Sequence, residues 1–164
     1  MNQVTALNSE NRYEQTIENL LRQFGDAITT GKERGELVTD VLVSTYAQII
    51  DNALKAISEG KQIVSPRILE DIYYYQGWVN GYYDLMNAAP DTKLKRFEEL
   101  DAEFESLKMP MGSKNMSTFN MYTLAQKEYD LRSGWINGYI ETLEMLGYQR
   151  PDPDQAVDFH AVAV

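Results

Sequence analysis

Carboxylates carry most of the chemistry that this chain could perform. Glu98 and Asp101 stand three apart in "EELDAEFE", and Glu141 and Glu144 do so in "YIETLEML". On a helix that spacing puts both acids on one face. Paired carboxylates of this kind offer hard oxygen ligands to magnesium, which in turn holds phosphates. A second arrangement involves a repeated string. "GWVNGYYDLM" runs from Gly77 to Met86, and "GWINGYIETL" runs from Gly134 to Leu143. Asn80 matches Asn137, and Asp84 matches Glu141. Two carboxylates brought face to face would require a cation, a basic partner or water between them.

Other chemistries lack their residues. The chain has no cysteine, which excludes thiolate nucleophiles, disulfides and cysteine-ligated zinc. Its one histidine, His160, rules out a multi-histidine metal site within the chain. The paired acids resemble those of all-helical, magnesium-dependent nucleotide pyrophosphatases. In that family an acid-rich pair comes first and an acid–aspartate pair second, with basic residues beside them; here the order is reversed. We therefore expect no catalytic residue, cofactor or metal, and a protein that is not an enzyme. The net charge of −10, from 25 acidic and 15 basic residues, argues against direct nucleic-acid binding. It permits an alternative role as an acidic mimic of nucleic acid that inhibits a DNA- or RNA-binding protein. The row of acids from Glu98 to Glu105 would be the mimic. No apolar run is long enough for a membrane span, and "MNQVTALNSENRYEQ" has no apolar signal core. Residence in the cytoplasm, here a host cytoplasm, is the expectation, and the virion is a second possible place.

The elements that would position these residues are all helical. The hydrophobic period predicts helices over about 9–29, 36–59, 66–88, 91–107 and 117–147, a five-helix bundle with no strand. Ser9 and Ser65 are expected N-caps, and Pro66 takes a first helical position. Thr30, Gly31 and Gly35 read as a loop, and Gly60 as a left-handed cap. Tyr13, Ile17, Leu20, Phe24 and Ile28 form the apolar face of the first helix. Val38, Leu42, Ile49, Ala53 and Ile57 do so for the second. Residues 1–148 form the helical domain. Residues 149–164 read as an extended C-terminal arm, because Pro151 and Pro153 cannot continue a helix.

The repeated string contains four helix-interior glycines: Gly77, Gly81, Gly134 and Gly138. Each costs about 0.8–1.0 kcal/mol relative to alanine, or roughly 3–4 kcal/mol together. That is a large share of a net folding stability of about 5–15 kcal/mol. Gly-x-x-x-Gly removes side chains from one stripe and lets another helix cross at close range. These four residues are the expected helix-crossing points, with Trp78, Tyr82, Trp135 and Tyr139 on a separate core face. The chain has 11 tyrosines, and five fall between Tyr73 and Tyr83. They spread around the helix, so Tyr73, Tyr74, Tyr75 and Tyr83 are expected at a protein interface. Val157, Phe159, Val162 and Val164 are expected to anchor the arm in a neighbour.

"YDLRSGWINGYIETLEML" resembles helices of small tailed-bacteriophage virion and head-morphogenesis proteins. The resemblance covers about 20 residues. It implies an adaptor-like structural component that docks on a ring, with phage structural proteins or sister subunits in a homo-oligomer as partners.

Overall fold

The computed structural model describes residues 2–89, 99–100, 102–103 and 122–147, with side chains described from residue 12 onward. These residues form four long helices and no strand. They are α1 (Asn2–Arg34), α2 (Asp40–Ser58), α3 (Pro66–Asn87) and α4 (Leu124–Met145). Glu99, Leu100, Ala102 and Glu103 are also helical and fall within the expected helix 91–107. The remainder of that helix, residues 117–121 and the expected arm 149–164 lie outside the described residues. So does the mimic row beyond those four positions.

α1 is longer than its periodicity predicts. Ser9 lies inside it rather than capping it. No glycine or proline stands between Asn2 and Ser9 to break the helix. At the other end the helix runs through Thr30 and Gly31, which were expected to form a loop. It stops at Gly35, whose φ of +65° is the left-handed conformation that favours glycine. The Glu36 N–H donates to Gly31 O at 2.9 Å and the Gly35 N–H reaches Lys32 O at 3.4 Å, which closes a Schellman turn. A Cβ on Gly31 would lie 2.7 Å from Glu36 O, so the turn needs glycine there for room. Residues 36–39 are consumed by this turn. That is why α2 starts at Asp40, with the Thr39 hydroxyl accepting from Leu42 N at 3.1 Å. α2 ends at a second turn of the same kind around Gly60, with φ +74°.

α3 starts as Ser65–Pro66 predicts, but the Ser65 side chain makes no capping bond. α1 meets this end instead. Glu14 accepts a hydrogen bond from the Ser65 N–H, and Glu18 holds the Arg67 guanidinium at 2.9 Å. α4 is capped by Thr123, whose hydroxyl accepts from Gln126 N.

The core has two parts. The first joins α1, α2 and one side of α3 through Ile17, Leu21, Phe24, Ile28, Val43, Tyr46, Ile50, Ile68, Ile72 and Trp78. The second joins the end of α3, α4 and Leu100 through Leu85, Ile136, Tyr139, Ile140 and Leu143. Val38 and Ala53 are buried as expected, but the face of α2 is turned part-way: Val43, Tyr46 and Ile50 are buried with them, while Leu42, Ile49 and Ile57 only flank the core. Its long apolar residues span a wide arc, and aromatic partners on α1 decide which part faces inward. Phe24 stacks on Tyr46 with centroids 4.6 Å apart and meets Trp78 edge-on at 5.4 Å. Phe24 thus ties three helices together. Phe24→Ala should cost about 3–5 kcal/mol in a denaturant unfolding titration, as large core truncations do. A loss under 1 kcal/mol would mean that these three helices do not share one core.

Candidate functional site: the α3–α4 crossing and its flanking clefts

All four glycines of the repeated string meet at one crossing. A Cβ on Gly77 would run into Leu131 O and lie 2.9 Å from Trp135 N. One on Gly81 would run into Trp135 O and lie 2.8 Å from Tyr139 N. The reverse contacts match. A Cβ on Gly134 would strike Tyr74 O and lie 3.0 Å from Trp78 N, and one on Gly138 would strike Trp78 O. The obstacle in every case is backbone, which cannot rotate away. Tyr74 and Leu131 hold the same place, three residues before the first glycine of each string. The two helices therefore run parallel, related by a local twofold axis along their length.

The same symmetry governs the tryptophans and carboxylates. Trp135 on α4 donates its indole N–H to Asp84 on α3. Its counterpart Trp78 on α3 lies beside Glu141 on α4, close enough to favour the charged carboxylate. The geometry falls short of an ordinary hydrogen bond, and Trp78 Nε1 is buried without one. Each string thus carries a tryptophan that reaches the carboxylate of the other. The carboxylates do not meet in a shared polar pocket, because the glycine backbones fill the middle. Among the described residues no three carboxylate or histidine groups come together to hold a metal ion.

The two flanks differ because the symmetry ends with the repeated string. On the Asp84 side, the Arg132 guanidinium lies 4.6 Å from the Trp135 ring centroid and donates to Glu103 at 2.7 Å. Asp84 is exposed there. On the Glu141 side, α1 covers the crossing. Lys32 Nζ lies 3.7 Å from Glu141 and 4.0 Å from Glu144. Asn137 donates to the Tyr74 hydroxyl at 2.9 Å. Asn80 cannot copy that bond, because its opposite number is Leu131, and it is exposed. Burial pushes the Glu141 carboxyl above its ordinary range, with Lys32 opposing.

The tyrosines expected at an interface have partners within the fold. Tyr73 stacks on Tyr122, with centroids 5.6 Å apart, under Lys127. Tyr74 packs edge-on against Tyr75, Tyr75 against Phe24, and Tyr83 against Tyr82. All four keep part of their surface exposed. Val157, Phe159, Val162 and Val164 lie outside the described residues. The reading of isolated strings missed Asp130, which is buried at the start of α4. It accepts from the Tyr122 hydroxyl and, at 3.1 Å, from Gln126 Nε2. Burial raises its carboxyl and, more exposed nearby, those of Glu70 and Asp71. The signal was the Gln126–Asp130 spacing of four on a helix face.

Comparison with known families, with curated proteins and with solved structures gives no match for this chain.

Two outcomes follow from this geometry. Gly81→Ala and Gly138→Ala gain about 1 kcal/mol of helix propensity. Each nevertheless forces apart a backbone contact, and overpacking of this kind costs about 1–3 kcal/mol or more. Both should melt lower than the parent; a higher melting temperature for both would place the glycines away from the crossing. The second concerns pH. Glu70, Asp71, Asp130 and Glu141 all have raised carboxyl pKa values, chiefly through burial. A group raised on folding binds its proton more tightly in the native state, so its contribution is largest below the unfolded pKa near 4 and is lost as pH rises past the folded value. The melting temperature should therefore rise as the pH falls from 7.5 toward about 4, and Asp130→Asn should flatten that rise. A fall over the same range would contradict the assignment.

Proposed function

We propose that the protein is a non-enzymatic helical assembly component, of the virion or head–tail adaptor kind that the α4 string resembles. Its partners are sister subunits or other structural proteins. One observation supports this reading most. The carboxylates of the repeated string are engaged by groups of the protein itself: Asp84 by Trp135 and Glu141 by Lys32. Asp130 is held by Tyr122 and Gln126 in the same way. Acids that serve metal chemistry converge on one site, whereas Asp84 and Glu141 go to separate partners on opposite flanks. The glycine-locked pair of parallel helices supplies a rigid post, and the partly exposed tyrosine edges supply contact area of the kind found at interfaces.

Native mass spectrometry and sedimentation of the full chain test the proposal. A discrete oligomer, or a stable complex with a ring-forming partner, is expected, and deletion of residues 149–164 should weaken it while leaving the helical signal nearly unchanged. A monomer at 100 µM (about that concentration) that releases pyrophosphate from a nucleoside triphosphate with magnesium, and loses this in Glu141→Gln, would replace the proposal with an enzyme.

A further inference from the structure

On the Glu141 side of the crossing, α1, α3 and α4 enclose a cleft of about 210 Å³. Thr29, Lys32, Tyr74, Tyr75, Trp78 and Glu141 line it. It is smaller than the roughly 300–1,000 Å³ of pockets for drug-sized ligands. A single long side chain is the size of object that it suits.

Its walls and its charge favour a cation. Three of the lining residues are aromatic, and ring faces attract guanidinium and ammonium groups. Glu141 supplies a carboxylate at the α4 wall, with Glu144 beside it. The surrounding field is negative. The Tyr74 phenol is held well above its ordinary range by burial and then by Glu141, and Tyr75 is raised by burial, Asp71, Glu141 and Asp26. An anion would enter against that field. The lining cation among the described residues, Lys32, already shows what Glu141 attracts. It is held loosely, at 3.7 Å and 4.0 Å from its two acids and with its side chain 38% exposed. Both separations exceed the roughly 2.7–2.9 Å of a charge-assisted hydrogen bond, so a cation of better geometry displaces Lys32.

A guanidinium is that better cation. It is planar, stacks on aromatic rings and engages a carboxylate through two parallel hydrogen bonds. Trp78 marks Glu141 as the acceptor in this wall, since a guanidinium only donates. Its indole N–H is buried in the cleft wall with no hydrogen bond of ordinary geometry, while its symmetry counterpart Trp135 has one to Asp84. A carboxylate has lone pairs for both a guanidinium and an indole. A guanidinium held on one oxygen of Glu141 leaves the other for Trp78, the counterpart of the bond from Trp135 to Asp84 on the other flank.

We propose that this cleft is the receptor for one arginine side chain of a partner protein, seated on Glu141 in place of Lys32. The proposal rests on the reading of the chain as an assembly protein and names the chemistry of its partner. A chain of net charge −10 is complementary to a basic segment.

The test follows the two indole N–H signals of the ¹⁵N-labelled full chain at pH 8. The probes are a blocked tripeptide with a central arginine, the same tripeptide with citrulline, ethylguanidinium chloride and sodium acetate. The arginine tripeptide should move the Trp78 signal downfield and leave Trp135 in place. Citrulline and acetate should move neither. Ethylguanidinium should act at least threefold more weakly than the arginine tripeptide. Lys32→Ala should bind the arginine tripeptide at least threefold more tightly, because it removes the internal competitor. Glu141→Gln should abolish the shift; Lys32→Ala, at the surface, carries the test if that variant fails to fold. An unmoved Trp78 signal, or weaker binding by Lys32→Ala, would overturn the proposal. Ethylguanidinium binding as tightly as the tripeptide would also overturn it, in favour of a site for free small cations. Loss of assembly behaviour in the full chain, with the arginine response intact, would instead count against the assembly reading alone.

Discussion

The close approach of two helix backbones is the contact on which the rest of this structure depends. Gly77, Gly81, Gly134 and Gly138 each lie where any side chain would overlap a carbonyl or amide of the opposite helix. No rotamer relieves such an overlap. The approach fixes the axial register of α3 against α4, since the glycines of each string must fall beside those of the other. It also fixes direction. Parallel helices of 22 residues require a connection that travels back about 33 Å. Leu100, between them in sequence, packs in the core that α4 forms with the end of α3.

Register then decides what the polar residues do. Trp78 and Trp135 each fall beside a carboxylate of the opposite helix only because the glycines set the offset. What differs between the flanks comes from outside the repeated string. Leu131 replaces Tyr74, Arg132 and Glu103 cover one side, and α1 covers the other with Lys32. One symmetric scaffold thus carries one exposed acid and one enclosed acid. The enclosed one has the raised pKa and the cleft.

Much of this is legible in the sequence where one residue type has one physical use. Gly-x-x-x-Gly inside a helix carries a cost that only close packing offsets, and its repetition pointed to one shared crossing surface. Gly60 and Pro66 punctuate the chain through fixed backbone preferences. Other features depend on the partner that an element meets. α1 passes Gly31 because the turn at Gly35 needs that glycine's open side, and a glycine within a helix looks the same in sequence as a glycine that ends one. The buried face of α2 is chosen by Phe24, which lies on another helix and stacks on Tyr46. The matched Asp84 and Glu141 suggested a carboxylate pair, but the glycine backbones fill the middle of the crossing and leave the two acids to separate partners. The direction of the crossing is likewise set by the whole chain, and no local pattern encodes it.

That direction can be measured directly, because a chain without cysteines accepts paired spin labels at chosen positions. Arg67 and Leu124 are exposed near the starts of α3 and α4, and Leu146 is exposed at the end of α4. Double electron–electron resonance on Arg67→Cys/Leu124→Cys and on Arg67→Cys/Leu146→Cys compares the two separations. A parallel, glycine-locked pair predicts that the first is shorter than the second by most of a helix length, about 30 Å for 22 residues. Equal distances, or the reverse order, would contradict the crossing and everything that is built on it.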